Sequence, residues 1–176
     1  MKRTTVFLLL MSFAFYYGCK KTDDGSYVAP ITISEKIVGT WALVSVMQVD
    51  EIAKANNETT TKMELSSQFT FSSLNITFLV DANNKPSSYS IAGTAPALLA
   101  PAGFWDLDLD YPHADGGTPS KINLYSDAAK TTKTATLDIL ALPGSLPNLQ
   151  FTFTRKVNGV PFVSYNYKFS ILNQAK

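Results

Sequence analysis

Three carboxylates alternate with apolar residues in "FWDLDLDYPHAD", residues 104–115, where Asp106, Asp108 and Asp110 are followed by the single histidine, His113, and by Asp115. Carboxylate oxygens on one strand face are the hard ligands that Ca²⁺ takes. The spacing departs from a loop-type calcium site, which needs Gly at its sixth position and Glu at its twelfth, where Tyr111 and Gly117 stand. Alternation with Trp105, Leu107 and Leu109 is instead the pattern of a half-buried strand with a wet outer face. No metal is assigned, and the three aspartates are kept only as candidate ligands. Catalysis has little to build on: His113 lies in a loop containing Pro and Gly, with no Gly-x-Ser-x-Gly elbow or nucleophilic cysteine to partner it. Nor does any spacing single out a pair of carboxylates for glycoside-type acid–base work. The expectation is a protein that is not an enzyme and carries no cofactor.

The other reactive side chain is Cys19, the only cysteine, in "FAFYYGCKK" at residues 13–21. Lys2 and Arg3 precede an apolar run from Val6 to Tyr17, too short for the roughly 20 residues that cross a bilayer and suited to a secretory signal. An unpaired cysteine in an exported chain needs a chemical use. Tyr16-Tyr17-Gly18-Cys19 resembles the lipobox of bacterial lipoproteins, in which a small residue precedes the cysteine that is acylated and becomes the new first residue. Gly18 matches, while Tyr16 stands where that pattern prefers Leu. The resemblance implies a signal peptide over residues 1–18, lipidation at Cys19 and attachment to a membrane through several acyl chains.

Removing Lys2 and Arg3 from the 15 basic residues leaves 13 against 14 acidic ones, a net charge of about −1. That balance gives no electrostatic footprint for nucleic acid. With Cys19 consumed there are no disulfides, so the core must hold the domain. Residues 19–35 read as the lipidated cysteine and a tether, because "KKTDDGSYVAPITIS" carries charge, Gly and Pro with few large apolar groups. Asp23 and Asp24 resemble the signals some lipoproteins use to reach the outer face of the outer membrane, or are the charges of any soluble linker. The expected location is the outer membrane, lipid-anchored, with the cell surface as one alternative.

Over residues 36–174 the apolar period is two. Trp41, Leu43, Met47 and Val49 share one parity. "SQFTFSS" alternates Phe69 and Phe71 with polar residues, and "LNITFLV" groups Leu74, Ile76 and Phe78. "SYSIAG", "FWDLDL", "SKINLYS", "TATLDILAL", "NLQFTFTRK" and "VSYNYKFSIL" continue the series, while "VDEIAKANN" allows a turn or two of helix. "DANNKP" is a turn by composition. Asn158-Gly159 is a hairpin signal, since both residues accept the positive φ of a type I′ turn. The apolar loop "TAPALLAPAG" at 94–103 should pack onto something. Eight or nine strands in one linear series predict an all-β antiparallel meander, and closure into a barrel removes its edges.

Gly39-Thr40-Trp41 resembles the G-x-W signature on the first strand of lipocalins and related calycins. The stretch from Ile37 to Ile171 is similar to the lipocalin-like domain of unknown function found in many bacterial lipoproteins. The resemblance implies a lipocalin-like barrel whose tryptophan, Trp41, closes one end under an arginine from a late strand. Arg155 is the matching residue, because it shares parity with Phe151 and Phe153 and should point inward.

Leu43, Phe69, Phe71, Phe78, Tyr89, Trp105, Phe151, Phe153, Tyr165 and Tyr167 are then placed to line a ligand cavity, or to fill it. Eight-stranded barrels are just wide enough for either. Two functions stay open. The first is a small apolar or amphipathic ligand bound inside, which requires a cavity of at least a few hundred Å³. The second is an envelope module whose outer surface recognises a protein or glycan partner, which exposed aromatics such as Tyr111 would favour.

Overall fold

The computed structural model describes residues 29–59, 61–96, 98–112 and 119–173. Cys19, His113 and Asp115 lie outside them. The chain divides into two compact units, Met1–Pro30 and Ile31–Lys176, and every element below belongs to the second.

Alternating sequence becomes strand nine times: β1 (Gly39–Asp50), β2 (Lys62–Glu64), β3 (Asn75–Val80), β4 (Pro86–Ala92), β5 (Ala102–Leu107), β6 (Lys121–Tyr125), β7 (Lys133–Ala141), β8 (Asn148–Val157) and β9 (Val160–Asn173). From β3 onward each strand pairs antiparallel with the next, and β9 returns to β1 over the span Thr40↔Asn173 to Asp50↔Val163. Eight strands therefore close into a barrel, as the meander predicts. The ninth, β2, shares an edge of β1 with β3: β3 takes Gly39–Ala42 and β2 takes Met47–Val49. Asn158 and Gly159 turn the last hairpin at φ 51° and 81°, both in the positive range a type I′ turn requires.

The antiparallel order defines two ends. At the first, β1 begins and β9 finishes, beside the β3–β4, β5–β6 and β7–β8 connections. At the second lie the β4–β5 and β6–β7 connections and the β8–β9 hairpin. The first end is sealed by a short helix, α1 (Ile33–Ile37). Its N-terminus is a capping box: Thr32 Oγ1 accepts from the Glu35 N–H at 3.2 Å, and the Glu35 carboxylate accepts from the Thr32 N–H at 2.7 Å. Ile33 and Ile37, one helical turn apart, are buried in the barrel core. Gly39, at φ 135°, then makes the backward turn into β1 that a side chain would resist. The expected tether through residue 35 is thus too long. Residues 31–35 belong to the barrel, because two isoleucines at helical spacing behind a cap find burial there.

Two local readings are corrected. β1 carries a bulge between Leu43 and Ser45. The bulge inverts the alternation, so Trp41 and Leu43 point inward but Val46 follows them, opposite Tyr167. Met47 and Val49 turn to the outer face. Val49 stays buried there beside a second helix, α2 (Glu51–Ala55), which Asp50 caps and which is tied to β9 by a 2.6 Å bond from the Ser164 hydroxyl to Glu51. The "SQFTFSS" segment is not a strand. It is a turn leading into a 3₁₀ segment, η1 (Thr70–Ser73), which carries the chain across from β2 to β3 and buries Phe71 while leaving Phe69 53% exposed.

The core is dense. Trp41, Trp105, Phe71, Phe78, Phe151 and Phe169 are all fully buried, each contributing on the order of 1.5–3 kcal/mol or more relative to exposure. The indole N–H of Trp41 donates to the Ile37 carbonyl and that of Trp105 to the Leu79 carbonyl, both at 2.7 Å. Among the described residues no helix is long and apolar enough to cross a membrane.

Candidate functional site

The apolar β4–β5 connection lies at the second end of the barrel, and its two feet are fixed. At one foot Gly93 stands at φ 112° so close to η1 that an added Cβ would lie 2.3 Å from the Ser73 carbonyl oxygen. Beside it the Thr94 N–H donates to Ser73 Oγ at 3.0 Å, and Thr70 Oγ1 donates to the Thr94 carbonyl at 2.9 Å. At the other foot the Ile91 N–H donates to the Pro101 carbonyl at 2.7 Å. Between the feet Ala95, Leu98 and Leu99 are half-buried against the core, so the loop is a roof, as its composition demands.

Beneath the roof is an apolar cavity of about 90 Å³. Leu74, Ile76 and Ile91 form one side. Phe151, Tyr167 and Phe169 form the other. Phe151 faces Tyr167 directly across the β8–β9 pairing, and Phe169 follows two residues on. Their rings form a continuous platform, with centroids 5.4 Å apart for Phe151–Tyr167, 5.2 Å for Phe151–Phe169 and 6.0 Å for Tyr167–Phe169. Burial lifts the Tyr167 hydroxyl above the ordinary phenol range, and Tyr165 adds to the effect. Tyr89 is also raised by burial, an effect that neighbouring Thr134 partly offsets; its hydroxyl is buried without a hydrogen bond of ordinary geometry.

A volume of 90 Å³ is that of about three water molecules, well under the roughly 300–1,000 Å³ of a typical ligand site. The expectation of a lumen of several hundred Å³ is therefore not met with the roof in place. Of the residues placed to line a cavity, Phe151 and Tyr167 do so. Leu43, Phe71, Phe78, Tyr89, Trp105 and Tyr165 are buried in the core that fills the interior, with Phe153 packed against it, and Phe69 is outside. Phe169 and Ile91 also belong to the lining, and the inward parity they share with their neighbours, Tyr167 and Tyr89, is the sequence signal that points to them.

Arg155 is a correction. It is exposed, and its guanidinium carbon lies 5.4 Å from the ring centroid of Phe162, not over Trp41. Arg155 pairs with Val163 at the second end, whereas Trp41 pairs with Ile171 at the first. A bulge between Arg155 and Lys156 frees Phe162 from the ladder and sets its ring under the cation.

The aspartates are each committed elsewhere. Asp106 accepts from Lys130 at 2.9 Å, Asp108 from the N–H groups of Lys121 and Leu109 at 2.7 and 3.0 Å, and Asp110 lies 3.9 Å from Lys85. Among the described residues no group of three His, Cys, Asp or Glu side chains gathers as a metal site. A wider cleft of about 590 Å³ opens on the outside of the sealed end, lined by Ile31, Glu35, Trp41, Pro143, Pro147 and Ile171 among others. It is broad and open to solvent, a surface groove.

Fold and interior together define a closed eight-stranded antiparallel barrel with a filled core, a helix sealing one end and an apolar roof over the other. That architecture fits a lipocalin-like domain. The chain matches the family described as Domain of unknown function (DUF5004) over residues 17–170, and it belongs to that family. No curated protein matches it.

Proposed function

We propose that this chain is a lipid-anchored protein of the cell envelope, held at the outer membrane through Cys19, that binds a small apolar or amphipathic molecule beneath the 93–101 roof. The observation that carries the reading is the cavity itself: an apolar hollow walled by Phe151, Tyr167 and Phe169 and covered by a loop of alanines, prolines and leucines. A molecule of more than a few heavy atoms needs more room than 90 Å³, so it takes the place of Leu98 and Leu99, which occupy the mouth as a ligand would. The ligand class is set by the lining, which offers dispersion contact on nearly every side. The reading includes no reaction and no cofactor.

Two measurements test it. Native mass spectrometry of protein taken from its own membrane is expected to show a bound apolar species in addition to the acyl mass at Cys19. Titration with the uncharged fluorophore N-phenyl-1-naphthylamine is expected to saturate at one site. A parent protein that neither retains a species nor binds the fluorophore saturably would sink the ligand reading. The alternative, surface recognition of a protein or glycan, draws support from Tyr111, which is exposed near the sealed end. It would gain ground if pulldown from intact envelopes recovered a reproducible partner that a Tyr111→Ala variant lost.

A further inference from the structure

The barrel unit begins at Ile31, two residues before the helix that seals its first end. Around that end stand exposed aliphatic side chains: Ile31 ahead of α1, Leu146 in the β7–β8 connection and Leu172 near the end of β9, at 65%, 66% and 63% exposure, with Leu140 and Leu109 also exposed there. Ile31, Pro143, Pro147 and Ile171, together with Glu35 and Lys36, line one groove, which spans α1, the β7–β8 connection and β9.

Eleven residues separate Cys19 from Ile31. Chain of that length reaches at most about 40 Å, at roughly 3.3–3.6 Å per residue. A domain of this size is itself on the order of 40 Å across. An acyl group at Cys19 therefore holds the α1 end within reach of the bilayer, while the opposite end could arrive there only with those residues stretched along the whole flank.

We infer that the α1 end of the barrel rests on the bilayer that anchors it, with Ile31, Leu146 and Leu172 in the lipid interface, and that the roofed cavity faces away from that membrane. The inference rests on the lipid-anchor half of the proposed function and adds an orientation to it. The ligand then reaches its site from the aqueous side, and not directly out of the anchoring leaflet. The contact is apolar and not electrostatic, since Lys36, Lys85 and Lys121 at this end are matched by Glu35, Asp81, Asp108 and Asp110. Neutral lipid suffices for it.

The test uses full-length acylated protein in phosphatidylcholine vesicles. Because the only native thiol carries lipid, Leu146→Cys or, at the opposite end, Val160→Cys provides a unique attachment point for a nitrobenzoxadiazole fluorophore. Val160 is itself 64% exposed in the β8–β9 hairpin, so the two sites differ in their end of the barrel and not in accessibility. Nitroxide-bearing lipids are expected to quench the label at 146 several-fold more than that at 160, with aqueous iodide giving the reverse order. The same ranking should hold in high salt. Acylated protein that floats with the vesicles yet shows equal quenching at both sites overturns the orientation and leaves the anchor intact. A Cys19 peptide without acyl mass overturns the anchor and the orientation together.

Discussion

Trp41 and Arg155 stand at opposite ends of the barrel, since their partners on β9, Ile171 and Val163, are eight residues and hence roughly 26 Å apart. In place of an arginine, the sealed end relies on the bond from Trp41 to the Ile37 carbonyl, 2.7 Å long and buried, which ties β1 to the α1 plug.

Trp41→Phe removes that donor, leaves a buried carbonyl without its partner and opens a small void. Stability should fall by about 2–4 kcal/mol. Arg155→Ala removes only an exposed cation from the Phe162 ring and should cost no more than about 1 kcal/mol. Urea midpoints of the two variants settle the order; an arginine variant as damaging as the tryptophan one would return Arg155 to a structural role.

Gly93 has no room for a methyl group against Ser73 and sits at a φ that side chains avoid. Gly93→Ala should therefore shift the foot of the roof, lower stability by about 1–3 kcal/mol and speed proteolysis within residues 94–100. Unchanged cleavage kinetics would show that the roof does not depend on this foot.

Ala95 borders the cavity. Ala95→Leu places three more carbons at a hollow of about 90 Å³, so the variant should be as stable as the parent or up to about 1–2 kcal/mol more so, while losing the N-phenyl-1-naphthylamine site. Binding that persists undiminished in a well-folded Ala95→Leu protein would place the fluorophore elsewhere.

Buried phenols set the alkaline limit. Tyr167 and Tyr89 are raised above the usual phenol value mainly by burial. Unfolded tyrosines ionise near pH 10, so the stability from keeping these two neutral is complete below about pH 10 and is lost as pH climbs toward their folded values. Absorbance at 295 nm should show their ionisation coinciding with unfolding. At the acid end Asp127 is lowered by the N–H groups of Thr131 and Thr132, and Asp81 by those of Lys85 and Asn83. Their contribution is present above about pH 4 and disappears as pH falls through their folded values. Asp127→Asn should flatten the acid limb of a thermal-stability profile and leave the alkaline limb alone.

Much of the barrel is legible because strands state their own period. Ile76 and Phe78 alternate as β3 does, "SKINLYS" becomes β6, and Asn158-Gly159 can hardly be anything other than the final hairpin. Where reading failed, a local irregularity intervened. A single extra residue at Val44 moved Met47 and Val49 to the outer face, and η1 turned an alternating "FTF" into a crossing. The α1 plug is written in the sequence only as the Thr32–Glu35 capping box, because the charged and Pro-containing stretch before it has the composition of a tether.

The site divides the same way. Sequence by itself determined a linear series of antiparallel strands, whose edges closure would remove, and an apolar stretch at 94–103 that has to pack onto something, since both rest on local alternation and composition. Whether the inward aromatics line a space or fill it, how large the space is, and which end Arg155 occupies were decided only by the tertiary structure. Strand register, bulges and barrel shear bring together residues as distant as Ile76, Leu99 and Phe169, and the volume left between them is a small difference between large packed quantities that no single segment encodes.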